Sequence, residues 1–517
     1  MKKLIKNYHF IIFFVSCFFV FIYQNTFWKT IKTTLELSSF FQPSILYIAT
    51  FLLFLYALIL EILNCIFTYR IFLTLLVAIG ALSAYYMDTF NISINPMIIE
   101  SLFKTNAQEA RDFISFWAIL KILVLAILPL CVIFGIKVKK SLLKTKLLLI
   151  LFYFFGLIAI WFFNGKNIIF TFKAYKPTID MLNPVGPIRS TIRYMSNALH
   201  TPHSYTFVGL DATLSQNDRP KIFTLVIGES ARAENFELNG YQRPTNPFIK
   251  SFDLINFEDF YSCGIITAIS IPCLLTDLTH QTYTSRNLSL FRDNILDIAQ
   301  RVKYDVWWIS NNGGTCMGDV CKRIKNISYY NEGHLDGDML KEIQHIIQDA
   351  KNNTFLVINL RGSHGSKYFE RYPKEFEFFK PICQEENLQK CTQEELVNAY
   401  DNSLRYSDYI ISQIIRALEK SPLDAGLWYV SDHGESLGEY GQFMHGGLPY
   451  NLAPKNQKHI PSYIWLNKGL REIFFKDLKI KEHRTLSHDE VFHTLLHFLN
   501  IHTKDYNNKL DIIGVTQ

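Results

Sequence analysis

Five apolar stretches, at residues 8–24, 44–64, 71–88, 113–136 and 146–163, crowd the first third of a 517-residue chain. Each is close to the ~17–25 residues that a helix needs to cross a hydrocarbon core, so five membrane crossings are expected. The first stretch has Lys2, Lys3 and Lys6 ahead of it, as a signal peptide does. No small-x-small cleavage site follows Tyr23, however, and Trp28 with Lys29 reads as an interfacial flank, so this stretch is expected to stay as a helix. Lys121 inside the fourth stretch is expected to snorkel or to mark a later helix start.

Charge divides along the same line. Residues 1–170 hold 15 lysines and arginines against 6 acids, net +9, while the other 347 residues hold 37 against 40, net −3. The overall +6 belongs to the apolar third, which excludes a nucleic-acid partner as the reason for the basic balance. A fully soluble protein, a disordered chain and a small disulfide scaffold are excluded as well.

Loop lysines orient the crossings. Lys137, Lys139, Lys140, Lys144 and Lys146 lie between the fourth and fifth stretches, and short basic loops stay in the cytoplasm. That loop and the N-terminal lysines share a side when four crossings separate them. A cytoplasmic N-terminus and five helices then put everything after Phe163 outside the cytoplasm. Cysteine placement agrees. Cys17, Cys65 and Cys131 belong to the apolar third, and the other six fall in close pairs: Cys263 with Cys273, Cys316 with Cys321, Cys383 with Cys391. Cys316 and Cys321 have no matching pair nearby to complete a zinc site, so three local disulfides in an oxidising compartment are expected.

Three regions follow: a transmembrane domain at 1–163, a bridging segment at 164–219, and a catalytic domain at 220–517. The bridge is rich in Asn, Pro, Gly and Thr, with an amphipathic piece at 188–199 suited to a membrane surface. From Pro220 onward, short β-rich runs alternate with helical stretches, the pattern of a parallel α/β sheet. The run at 222–227 ends in Gly228-Glu229-Ser230, and that at 305–309 in Ser310-Asn311-Asn312-Gly313. The run at 355–360 ends in Arg361-Gly362-Ser363-His364-Gly365, and that at 427–430 in Ser431-Asp432-His433-Gly434-Glu435-Ser436. Ligands of such sheets sit beyond the carboxyl ends of the strands, so four polar, glycine-flanked ends point to one site.

Glu229, Asp432 and His433 are oxygen and nitrogen donors of the kind that hold zinc or manganese. The segment C-G-I-I-T-A-I-S-I-P-C at 263–273 offers two hydroxyl nucleophiles, Thr267 and Ser270. Direct metal coordination would stabilise either as an alkoxide. Taken singly, His364 reads equally as a turn histidine, Asn312 as half of an Asn-Gly turn, and Glu435 as an orienter of His433 or as a base.

The run at 226–247 (V-I-G-E-S-A-R-A-E-N-F-E-L-N-G-Y-Q-R-P-T-N-P), T-A-I-S-I-P-C, G-S-H-G-S-K-Y-F-E-R-Y-P and Y-V-S-D-H-G-E-S-L-G-E-Y-G-Q-F-M-H-G resemble the lipid A phosphoethanolamine transferases, a family that includes the mobile colistin-resistance enzymes. The resemblance is dense over 220–470. It implies a five-helix transmembrane domain carrying an α/β periplasmic domain of the alkaline phosphatase/sulfatase-like fold, in a bacterial inner membrane. It implies one tightly held zinc ion on Glu229, Thr267, Asp432 and His433, with Thr267 as nucleophile. His364 and His445 match the histidines around the transferred phosphate and can hold a second zinc during turnover. Asn312 matches a substrate-contacting asparagine, and Glu109 falls where the family has a glutamate that faces the lipid donor.

The expected reaction takes phosphoethanolamine from phosphatidylethanolamine onto Thr267, then onto lipid A or core oligosaccharide. The surface loses negative charge, which favours resistance to polymyxin and other cationic peptides. The enzyme is expected to act as a monomer. Three departures touch the surroundings of the site: Gly313-Gly314-Thr315 where a lysine is usual, Asn359 for a histidine, and Ile265 for a threonine. A phosphoglycerol transferase on the same fold and a non-catalytic lipid sensor are the alternatives. A sulfatase proper would need a C/S-x-P-x-R segment, and none is present.

Overall fold

The computed structural model describes residues 6–34, 43–64, 69–104, 114–136, 138–139, 142–174, 179–199, 204–215, 219–284, 286–313, 316–330, 333–385 and 388–514. The chain divides into two compact units, one from 1–100 and 113–195 and the other chiefly from 196–517.

Among the described residues of the first unit, four helices are long and apolar enough to cross a membrane: Ile45–Leu63, Arg70–Phe90, Phe116–Gly135 and Leu143–Phe163. A fifth candidate is the broken pair Tyr8–Phe21 and Asn25–Lys32, bent by 48°. The apolar pattern predicts one helix over 8–24 with Trp28 at the interface. Instead the chain turns at Ile22–Gln24, and Trp28 is buried, its indole N–H donating to the Val20 carbonyl at 2.8 Å. That bond satisfies a backbone acceptor which the break would otherwise leave exposed in an apolar setting.

The break also frees Gln24 for a polar knot. Its Nε2 donates to Tyr56 Oη and to the Asn183 carbonyl, both at 3.0 Å, while the Asn183 side chain donates to the Gly80 carbonyl at 2.9 Å. Asn183, in the segment expected to bridge the domains, is thus buried among the helices. His9 and Glu61 meet at 2.6 Å in the same helical interior, a pairing that spares each an unpartnered polar group in hydrocarbon. Helix Phe116–Gly135 starts at a Ser115 cap, and Lys121 lies 5.6 Å from the Tyr85 ring centroid. Two short strands, β1 (Lys6–Asn7) and β2 (Val138–Lys139), pair in parallel.

The second unit is built on a sheet of eight described strands. In chain order its elements are β3 (Thr213–Leu214), β4 (Lys221–Gly228), β5 (Ile255–Tyr261), β6 (Asp305–Ser310), β7 (Asn326–Tyr329), β8 (Thr354–Asn359), β9 (Asp424–Ser431), β10 (Ser436–Leu437), β11 (Phe443–Met444), β12 (His459–Leu466), β13 (Thr485–Ser487) and β14 (Ile501–His502). The large sheet runs β13-β5-β12-β9-β4-β8-β6-β7, while β3 pairs with β14 and β10 with β11. Strand β4 is buried along its whole length because helices cover both faces. Phe223, Leu225 and Ile227 pack with helices Ile295–Arg301 and Val491–Phe498, and Ile222 and Val226 with Leu340–Asp349 and Gln393–Glu419. This period-two division is what a two-sided α/β strand requires.

The sheet is mixed, not wholly parallel: β12 runs antiparallel to both β9 and β5. Between β9 and β12 the chain forms the β10–β11 hairpin and short 3-10 turns but no crossover helix, so the returning strand reverses direction. The inner strands keep the expected polarity and register. Gly228 pairs with Ser431, Ile227 with Asn359, and Ser310 with Asn359. Register alone therefore brings the four polar strand ends to one edge.

Candidate metal and nucleophile site

Glu229 follows β4 and is 1 % exposed. Ser230 takes a left-handed φ of 57° and turns its hydroxyl back to donate to Glu229 Oε1 at 2.8 Å. The other carboxylate oxygen, Oε2, accepts from Asn312 Nδ2 at 2.7 Å and from Thr267 Oγ1 at 3.1 Å. Asn312, expected to touch substrate, spends its amide on Glu229. Close approach here needs glycine at 362, where an added Cβ would stand 2.9 Å from the Glu229 carbonyl oxygen and φ is +49°.

Asp432 and His433 follow β9. The Asp432 N–H donates to the Gly228 carbonyl at 2.9 Å, and His433 Nδ1 donates to the Gly434 carbonyl at 2.9 Å, which leaves Nε2 as the free donor atom. His433 Nε2 lies 3.4 Å from Glu229 Oε1, 3.3 Å from Asp432 Oδ2 and 3.3 Å from Thr267 Oγ1. Thr267 is the first residue of helix Thr267–Leu275, within the loop closed by the Cys263–Cys273 disulfide. Ser270, the other candidate, lies one turn further on with its hydroxyl buried and without a hydrogen-bond partner, so of the two it is Thr267 that presents its hydroxyl to the cluster.

Asp432 Oδ2 is buried with no hydrogen-bond partner, although a carboxylate rarely stays unsatisfied there. Burial pushes this carboxyl well above its ordinary range, and the Glu229 charge adds to the effect. Burial pushes His433 down to about 3 and His364 to about 4. Against its own burial, Glu229 is pulled down to about 2 by His433, His364 and His445. Ligands ~2.0–2.2 Å from a tetrahedral zinc stand ~3.3–3.5 Å apart, which is the spacing of His433 Nε2 to Glu229 and Asp432. The orphaned oxygen, the donor set and the spacing all fit a divalent cation.

His364 and His445 flank this cluster. Their rings are 6.4 Å apart, and the His445 ring is 4.0 Å from that of His433. Ligand atoms of Glu229, His433 and His445 lie within 4.8 Å of one another. His364 Nδ1 is buried without a hydrogen-bond partner, and Arg371, which the G-S-H-G-S-K-Y-F-E-R-Y-P motif contains without marking it as functional, donates to the His364 carbonyl at 2.7 Å. Glu435 reaches His445 and not His433, with Nδ1 to carboxylate distances of 3.3 and 3.4 Å. Glu109 lies outside the described residues, as do Gly314 and Thr315. Cys316–Cys321 and Cys383–Cys391 form two more local disulfides.

Comparison with known proteins gives this geometry a lineage. A sulfatase model matches residues 221–501, and a model for phosphoethanolamine transferase EptA/EptB matches 51–199. Phosphoethanolamine transferase EptA of Salmonella typhimurium is 31 % identical over 481 residues, covering 88 % of this chain and 87 % of the relative. Phosphatidylethanolamine transferase Mcr-1 from Escherichia coli is 29 % identical over 459 residues, with 83 % of each chain covered. Among solved structures, the integral membrane lipooligosaccharide phosphoethanolamine transferase A (EptA) from Neisseria meningitidis superposes with a TM-score of 0.90 at 28 % identity, covering 97 % of both chains. The C-terminal periplasmic domain of EptC from Campylobacter jejuni is 36 % identical, with a TM-score of 0.56, covering 60 % of this chain and 97 % of that domain. With membrane helices, a sulfatase-like sheet and sequence identity carried across most of its length, the chain belongs to the EptA family of phosphoethanolamine transferases.

Proposed function

We propose that this protein moves phosphoethanolamine from phosphatidylethanolamine to lipid A or core oligosaccharide, with Thr267 holding the group between the two half-reactions. The observation that carries this reading is the placement of Thr267 Oγ1, 3.1 Å from Glu229 and 3.3 Å from His433, beside the unsatisfied oxygen of Asp432.

Glu229, Thr267, Asp432 and His433 would hold zinc. When bound, it would supply Lewis-acid stabilisation of the threonine alkoxide and of the negative charge on the phosphoryl oxygens. Thr267 Oγ attacks the donor phosphorus, and the bond to the diacylglycerol oxygen breaks. The product is phosphoethanolamine-threonine, and the proton given up by the Thr267 hydroxyl passes to the leaving diacylglycerol oxygen. An oxygen of the acceptor's phosphate or sugar then attacks the same phosphorus, and Thr267 leaves. Glu435 holds a proton on His445 Nδ1, which leaves Nε2 as the basic nitrogen for that proton traffic. His364 stands across from it; in a form of the enzyme that carries a second zinc, these two histidines would be its ligands in place of proton carriers.

The reading carries an address. The three disulfides suit an oxidising compartment, and loop lysines favour a cytoplasmic N-terminus in the inner membrane with a periplasmic catalytic domain. The assignment is a transmembrane domain at 1–163, a bridge at 164–219 and a catalytic domain at 220–517, working as a monomer. A donor that stays in the bilayer meets a membrane-held enzyme at high effective concentration. Added ethanolamine charge would offset lipid A phosphates and lower the affinity of polymyxin.

The test is mass spectrometry of lipid A and core oligosaccharide from a host without such enzymes, expressing either this protein or Thr267→Ala. A gain of one phosphoethanolamine unit with the wild type only is expected. Full transfer by Thr267→Ala would overturn the covalent route. Dialysis of the purified enzyme against a chelator should abolish transfer, and added zinc should restore it.

A further inference from the structure

The nucleophile and the cluster it faces sit on separate elements. Thr267 belongs to the disulfide-closed loop, while Asp432 and His433 follow β9. The disulfide ties the two ends of the loop to each other and does nothing to fix its distance from β9. Another side chain spans that gap. His488, 1 % exposed, uses both ring nitrogens. Nδ1 accepts from the Cys263 N–H at 3.1 Å, and Nε2 donates to the Ser431 carbonyl at 2.9 Å. Ser431 is the residue before Asp432, and its hydroxyl donates to the His433 carbonyl at 2.9 Å.

The neighbour of His488 completes the grip. Asp489 accepts from the His280 N–H at 2.7 Å, and His280 Nδ1 donates to the Cys263 carbonyl at 2.6 Å. Both backbone groups of Cys263 are therefore held from residues 488 and 489, one directly and one through His280. A capping box between Ser487 and Glu490 fixes the turn that presents them. Burial pushes His488 down to about 3, so the ring stays neutral with one donor and one acceptor, as this bridge requires.

We propose that His488 is a positioning residue that sets the distance between the Thr267 loop and the strand end bearing Asp432 and His433. The proposal rests on the reading of Thr267 as nucleophile. Misplacing a reacting atom by about 1 Å can cost ~100-fold in rate, so losing this bridge slows turnover without removing any ligand or donor-binding group.

The test uses full-length enzyme in micelles with phosphatidylethanolamine as donor and lipid A as acceptor. His488→Asn places an amide oxygen where Nδ1 was and keeps the Cys263 bond alone. His488→Gln places an amide nitrogen where Nε2 was and keeps the Ser431 bond alone. Each variant is expected to lose at least ~10-fold in kcat, with KM for the donor within about twofold, with zinc content retained, and with the protein still folded at the assay temperature despite a lower thermal midpoint. Two results would overturn the proposal: wild-type kcat in both variants, or a loss of kcat that only follows loss of zinc or of folded protein. A Thr267→Ala control separates the two readings, since activity surviving there refutes the nucleophile assignment whatever the His488 variants do.

Discussion

Glu435 is the partner of His445: its two carboxylate oxygens stand 3.3 and 3.4 Å from His445 Nδ1. Sequence order had suggested His433, two residues away. That ring is instead oriented by the adjacent Gly434 carbonyl, at 2.9 Å. Glu435→Gln keeps the volume and loses the charge that fixes the His445 tautomer. Loss of an orienting partner of this kind costs ~10–100-fold in activity or metal affinity. We expect the loss in transfer rate, with zinc retained on elemental analysis, because the ligands themselves are untouched.

Gly362→Ala places a methyl group 2.9 Å from the Glu229 carbonyl oxygen and 3.0 Å from its nitrogen, at a φ of +49°. Both neighbours are backbone atoms of a buried strand end, so neither yields easily. A non-glycine residue in such a conformation costs ~1–3 kcal/mol. A lower unfolding midpoint together with weaker zinc binding is the expected result, measured by thermal denaturation and metal titration.

Asp408 governs a pH response of stability. Burial pushes its carboxyl up to about 8 from 3.8, against hydrogen bonds from the Phe248 N–H and Asn246. The folded state thus holds a proton that the unfolded chain releases above pH about 4, and stability falls as pH rises from about 4 to about 8. Asp408→Asn should flatten that part of the curve, and Asn246 can accommodate it by turning its unpartnered Oδ1 toward the new amide. Unfolding midpoints across this pH window, wild type against variant, isolate the contribution.

Removing the Cys263–Cys273 link by double serine substitution opens a loop with a sequence separation of 10. Chain entropy assigns such a closure about 3 kcal/mol. The unfolding midpoint should fall accordingly, and kcat should fall further than global stability explains, since Thr267 lies inside the loop.

Much of this was legible because it depends on local chemistry and strand polarity. Glycine-flanked acids and histidines at four strand ends needed only a parallel inner sheet to converge, and the register of Gly228 with Ser431 and of Ile227 with Asn359 supplies it. The apolar spans were visible from length alone. Reversals and cross-chain hydrogen bonds were not. The break after Phe21 depends on Trp28 reaching Val20, and the antiparallel course of β12 on a connection without a helix. His488 carried no signal in its own neighbourhood, because its role is defined by Cys263 and Ser431, which lie 225 and 57 residues away. Asn312 was found by motif, but its contact with Glu229 emerges only once β6 and β4 are set in the sheet.

The three disulfides close over sequence separations of only 10, 5 and 8. Each pair can therefore meet as soon as its short segment enters an oxidising space, before more distant strands arrive. The cost of closing a loop grows with its length, so these short closures cost less than the longer excursion a wrong pairing would require. Oxidation can thus proceed in chain order, one cysteine pair at a time, without waiting for the sheet to assemble.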